Sequence, residues 1–183
     1  LLVSIFHESD IDRIKAASLK SVTIDVGAGM GTETFPFLIK NAEDMFELSR
    51  KVSEGNRYTN YYFKVDDGID EIILDDFIPI GTSANPFEGR FNGNGVNFKV
   101  TINQSDLTNV GLFGYITNRT SVVENLSISG LIHGRQSVGS VVGRVQQGTV
   151  RNVYNEARVK GETSNVGGIV GYVHGNDGPI LIT

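Results

Sequence analysis

Three copies of one short phrase govern what this chain can fold into. Val110-Gly111-Leu112-Phe113-Gly114 returns as Val138-Gly139-Ser140-Val141-Val142-Gly143 and again as Val166-Gly167-Gly168-Ile169-Val170-Gly171, with the opening Val-Gly pairs 28 residues apart both times. A second correspondence runs 27 residues on: Val123-Glu124-Asn125-Leu126 becomes Val150-Arg151-Asn152-Val153, and Gly134 becomes Gly161. A fixed period of about 20–50 residues marks an array whose unit cannot bury its apolar face alone and stacks on the next copy. Helical units need long amphipathic runs with few glycines, whereas these are short β-branched runs broken by Gly or Asn. A propeller blade needs about 40 residues for four strands. The period therefore predicts an all-β chain, a parallel β-helix whose regular repeats fill 110–183.

Equal offsets place equivalent residues above one another, about 4.8 Å apart. Val110, Val138 and Val166 are expected to form one buried column, and Val123 and Val150 another. Gly111, Gly114, Gly139, Gly143, Gly167 and Gly171 fall where a bend or a close backbone approach excludes a Cβ. Asn125 and Asn152 sit at equivalent bends, where each either fills a turn or hydrogen-bonds its neighbour as a ladder of stacked amides.

Composition narrows the function classes. The 183 residues carry a net charge of −5 with no Lys/Arg cluster, which argues against nucleic acid and against an anionic membrane surface. No apolar run reaches the ~18 residues of a membrane-crossing helix, so no membrane insertion is expected in this segment. Cysteine is absent and glycine numbers 22, compatible with an extracellular bacterial protein held by repetitive hydrogen bonding rather than disulfides. The opening Leu1 to Phe6 lacks the basic start and length of a signal peptide, and the chain reads as cut from something longer.

Taken in order, 1–30 is an irregular segment or the tail of a preceding domain: a strand from Leu1 to Phe6, a short helix at 9–15 capped by Ser9, and a strand over Val22–Val26. A helix follows at 41–54, with Asn41 as N-cap, acids in its first turn, Arg50 and Lys51 near its end and Gly55 as C-cap. Met45, Leu48 and Val52 share one face. This helix either caps the open end of the stack or serves as a linker. Strands resume at Tyr61–Val65, Pro79 places Phe77–Gly81 at an edge or corner, and Gly93-Asn94-Gly95 reads as a turn. The acids Asp66, Asp67, Asp70, Glu71, Asp75 and Asp76 offer the oxygen ligands that calcium needs, against the alternative of a solvated acidic loop.

Gly31-Thr32, Pro36-Phe37-Leu38-Ile39, Ala42-Glu43-Asp44-Met45, Pro79-Ile80-Gly81, Phe87-Glu88-Gly89-Arg90-Phe91-Asn92-Gly93-Asn94-Gly95 and Gly111-Leu112-Phe113-Gly114 follow one another in the order seen in bacterial surface proteins of the GLUG-repeat family, which this chain resembles over about residues 31–173. Similar repeats occur in adhesin-like proteins and in the non-catalytic N-terminal regions of immunoglobulin A peptidases. The resemblance implies a right-handed parallel β-helix over 31–183, exported to the bacterial cell surface. It also implies an adhesin or structural stalk whose partner is a host or cell-surface protein or glycan. Ser140-Val141 and Phe77 depart from the family pattern, while keeping a small or apolar residue in place.

Catalytic motifs are missing: there is no Gly-x-Ser-x-Gly, no His-Glu-x-x-His and no phosphate loop. His7, His133 and His174 occupy unrelated positions and read as surface residues. The alternative is a carbohydrate-active β-helix enzyme, a polysaccharide lyase or glycoside hydrolase. For that the acids Asp66, Asp67, Asp70, Asp75 and Asp76 are the candidates, yet no Arg or Lys is spaced to meet them, and a non-catalytic chain is expected. The run Ile180–Ile182 reads as a last apolar strand with no cap after it, so the polypeptide is expected to continue and this end to self-associate.

Overall fold

The computed structural model describes residues 29–174 and 180–182; the elements expected within 1–28 lie outside the described residues. Every pairing between the described strands is parallel, so the chain climbs as a β-solenoid of about five turns. Strands β1 (Phe37–Ile39), β2 (Tyr62–Val65), β4 (Arg90–Asn103), β7 (Val122–Gly134), β10 (Gly148–Asn155) and β13 (Ile180–Ile182) lie side by side in that order as the main sheet. On it, β3 (Glu71–Leu74) pairs the second half of β4, and β11 (Arg158–Gly161) the second half of β7. A second sheet stacks β6 (Phe113–Ile116), β9 (Val142–Val145) and β12 (Val170–Val173), and a short one joins β5 (Thr108–Val110) to β8 (Gln136–Val138).

The interior consists of columns. Phe63, Phe91, Val123 and Val150 are in register across four turns, each 1% exposed or less. Ile80, Phe113, Val142 and Val170 form a second column on the other side of the cross-section. The early turns are filled by aromatics: the Phe63 ring centroid lies 5.9 Å from that of Phe87, Phe87 5.1 Å from Phe113, and Phe113 5.2 Å from Phe91. Later turns replace these rings by valine at the same register. Val110 pairs with Val138, and Val138 with Val166. The first two are fully buried, but Val166 is 47% exposed, against the expectation of a uniformly buried column. An interior position is covered only when a turn lies on each side of it, and among the described residues no strand pairs beyond Val166.

Bends in the long strands depend on asparagine. Asn125 and Asn152 have φ of 58° and 52°, a left-handed geometry that Asn tolerates better than most residues. Asn152 Nδ2 donates to Asn125 Oδ1 at 2.5 Å, and Asn125 Nδ2 donates to Asn92 Oδ1 at 3.1 Å, so the amides form a ladder over three turns. Gly93-Asn94-Gly95 is the same corner one turn earlier. The turn read there lies inside β4, where the register shifts between Asn92 and Val96 and Asn94 and Gly95 take positive φ. Asn125→Ala removes both ladder bonds and puts an unfavourable residue at positive φ, an expected loss of about 2–4 kcal/mol. Asn125→Gly relieves the backbone and should cost about half as much. Chemical denaturation of the pair would separate the terms: the difference between them reports the backbone, and an Asn125→Gly variant as stable as the parent would show that the ladder contributes nothing.

The helix α1 (Ala42–Ser53) follows β1, where a further strand would otherwise run. Asn41 Oδ1 accepts from Asp44 N at 3.0 Å. At the other end the C-cap is Glu54 rather than Gly55. Gly55, at φ 104°, stands one residue on and sends its N–H to Val52 O, while Asn56 N–H reaches Lys51 O, the paired bonds of a Schellman motif. Met45, Leu48 and Val52 are fully buried. Ser49 Oγ donates to Ile78 O at 2.7 Å, and Phe46 meets Phe77 edge-on at 5.2 Å. The helix thus lies over the second turn of the stack and covers part of its first open layer.

Candidate functional site

Because side chains alternate along a strand, every inward column has an outward neighbour. On the outer face of the main sheet, Tyr62, Arg90, Val122 and Thr149 share one register line and Lys64, Asn92, Glu124 and Arg151 the next. All of these but Thr149, together with Glu33, Pro36 and Phe63, border an open groove of about 200 Å³. Arg151 Nε donates to Glu124 Oε2 at 2.6 Å, and Lys64 Nζ to Asp67 Oδ1 at 2.8 Å. Tyr62 Oη is 3.5 Å from Glu33 Oε2, at the outer limit of a hydrogen bond. The Arg90 guanidinium lies over the Tyr62 ring, 5.2 Å from its centroid.

Elsewhere the outward columns satisfy one another. Asn97 Nδ2 donates to Glu71 Oε1 and Ser129 Oγ. His133 is held between Asn103 Oδ1 (2.7 Å) and Glu162 Oε1 (2.6 Å), and Lys160 Nζ reaches the same Glu162 oxygen at 2.7 Å. On the second sheet, Arg144 lies between two rings, 5.2 Å from Tyr115 and 5.3 Å from Tyr172.

The exposed ion pairs make acid stability a test of these ladders. The bond from Lys160, then that from His133, holds the Glu162 carboxyl below its usual range, and Lys64, then Asn94, does the same for Asp67. A depressed carboxyl contributes stability above its unfolded pKa of about 4, and the contribution is lost as pH falls through the lower folded value. The denaturation midpoint should therefore drop between pH 5 and about pH 3, by less in high salt and by less when Lys64 and Lys160 are both Met. A midpoint flat across that range would show the pairs to be energetically silent.

The acids weighed as calcium ligands or catalytic groups have separate surroundings. Asp67 faces Lys64, which corrects the expectation that no Lys meets these carboxylates, while Asp75 accepts from Thr101 Oγ1 at 3.4 Å and Asp76 occupies a positive-φ bend. Among the described residues no group of three or more His, Asp or Glu is placed to hold a metal ion. His174 Nδ1 meets Tyr172 Oη at 3.1 Å, away from His133; His7 lies outside the described residues. Of the repeat residues, Val110, Val138, Gly111, Gly139, Gly143 and Gly171 make close interior or inter-turn contacts and Asn125 and Asn152 form corners; Gly114 packs against Gly81 O, and Gly167 against Val170 O. None lines the groove.

No family model matches the chain, and no solved structure matches it. The chain is 34% identical to a protein of Evansella cellulosilytica named as a Gly-rich membrane protein, across 68% of this chain and 15% of that protein. It is 29% identical to halomucin of Haloquadratum walsbyi, across 82% of this chain and 2% of that protein. The chain thus spans a small part of the length of either relative. Among the described residues no helix is long and apolar enough to cross a membrane.

Sequence reasoning missed the groove residues Tyr62, Lys64, Arg90 and Asn92. A signal was present for two others: Glu124 and Arg151 directly precede the repeated Asn125 and Asn152, so their opposite charges were bound to meet once the asparagines stacked.

Proposed function

We propose that this chain is a non-catalytic repeat segment of an exported bacterial cell-surface protein of the GLUG-repeat kind, serving as a stalk or as an adhesive face. The observation that carries this reading is the register kept along two lines of the main sheet. From turn to turn, Phe63, Phe91, Val123 and Val150 inside and Lys64, Asn92, Glu124 and Arg151 outside keep their lines, so the repeat residues build a stiff rod with a continuous exposed face. Solenoids offer such extended surfaces for recognition. The names of the two relatives, a membrane protein and a halomucin, support a place in or outside the cell envelope. Proteolytic shaving of intact cells carrying the full-length protein should release peptides of this segment, and protection until lysis would overturn the location. Incubation of the purified chain with pectins and host glycans, with and without Ca²⁺, should release no product; product release would overturn the non-catalytic reading.

A further inference from the structure

We infer that the groove on the outer face of the main sheet is a binding site for an anionic sugar unit of an acidic polysaccharide, with Arg90 as its anchor. The proposal deepens the adhesive reading above by naming a ligand class, and its test on purified chain leaves the question of cellular location untouched.

The first support is the state of Arg90. Three cations line the groove, and two are already used: Arg151 by Glu124, Lys64 by Asp67. Arg90 has no ion pair or side-chain hydrogen bond among the described residues; its contact is the face of Tyr62. A guanidinium stacked on a ring is held in one orientation while its N–H edge stays open, which suits bidentate capture of a carboxylate or sulfate. The residue is half-buried, so its charge is screened less than that of a fully exposed arginine.

Asn92 provides the second support. It lies two residues along β4, on the same face, and its Oδ1 already accepts from Asn94 N at 2.8 Å and from Asn125 Nδ2 at 3.1 Å. Two donors on one oxygen fix which way the amide points, and leave Nδ2 with no acceptor among the described residues. Residues i and i+2 of a strand are roughly 6.6–6.8 Å apart, about the span from the acidic group of a pyranose ring to a hydroxyl across it. Donors for an anion and for a hydroxyl thus stand side by side, in a groove with three cations and two carboxylates on a chain whose net charge is −5. An acidic peptide is the poorer fit: the backbone of β4 is paired on both sides here, by β2 and β7, so there is no free edge for a strand to add to.

Calorimetric titration of the purified chain with oligogalacturonate, with a sulfated chondroitin oligosaccharide, with neutral maltooligosaccharide and with poly-glutamate tests the site. One or both acidic sugars should bind, the stronger naming carboxylate or sulfate as the preferred anion, and the neutral sugar should bind at least ~10-fold more weakly. Arg90→Gln should weaken the acidic sugar by ~10-fold or more, and Arg90→Lys, which keeps the charge but loses the fork, by several-fold. Arg158→Gln, on the same sheet outside the groove, should change it less than ~2-fold. Unchanged thermal midpoints would show that the variants fold. Absence of binding by both acidic sugars, equal binding of the neutral one, tighter binding of poly-glutamate, or an unaltered affinity in folded Arg90→Gln would each overturn the proposal.

Discussion

Gly143→Ala is expected to cost about 3 kcal/mol or more, at or above the upper end of what one added methyl does to a packed interior. A Cβ at Gly143 would lie 2.3 Å from Val110 N and 2.4 Å from Asn109 C. Both are backbone atoms of the turn before, so no side chain can rotate away and the strands themselves must part. Gly171 repeats the contact one turn later, 2.4 Å from Val138 N and 2.5 Å from Ser137 C. The glycine of the repeated phrase therefore sets how closely the second sheet approaches the short one. Gly68→Ala is the control: its φ is +82° but nothing lies within 4 Å of an added Cβ, so it should lose only the ~1 kcal/mol of an unfavourable backbone conformation. Urea denaturation compares the two. If Gly143→Ala costs no more than Gly68→Ala, the close approach does not hold in solution.

Phe113→Ala should be of similar size, about 3–5 kcal/mol, from lost burial and the cavity left behind. The ring is fully buried, lies between Ile80 and Val142 in its column, and touches Phe87 and Phe91 at centroid distances of 5.1 and 5.2 Å. It bridges the second sheet to the main one in the middle of the stack, where neither neighbour can move into the gap without breaking its own register. Phe113→Leu fills most of the space and should cost about 1–2 kcal/mol. Against a total stability of about 5–15 kcal/mol, the alanine variant should shift the denaturation midpoint strongly with little change in slope. A loss under about 1 kcal/mol would mean that the two sheets do not depend on one another through this ring.

The parallel solenoid, its register and its asparagine corners were legible in the sequence because stacking forces a residue to meet its own equivalent. Val123 over Val150 and Asn125 over Asn152 follow from the 27-residue offset alone. The helix was legible for another reason, since caps and an apolar stripe are local signals. The early turns were not, because their spacing is uneven: β4 carries extra residues at 93–95 relative to β7, which hides from any fixed period that Phe63, Phe91 and Val123 form one column. The exposure of Val166 was equally out of reach, since burial in a stack depends on what lies above a residue and not on the residue itself. The groove was decided by tertiary structure altogether. Lys64, Arg90 and Arg151 are alike as sequence, and only the folded chain distributes the carboxylates so that Asp67 takes the first, Glu124 takes the third, and Arg90 is left against a ring with no ion pair among the described residues.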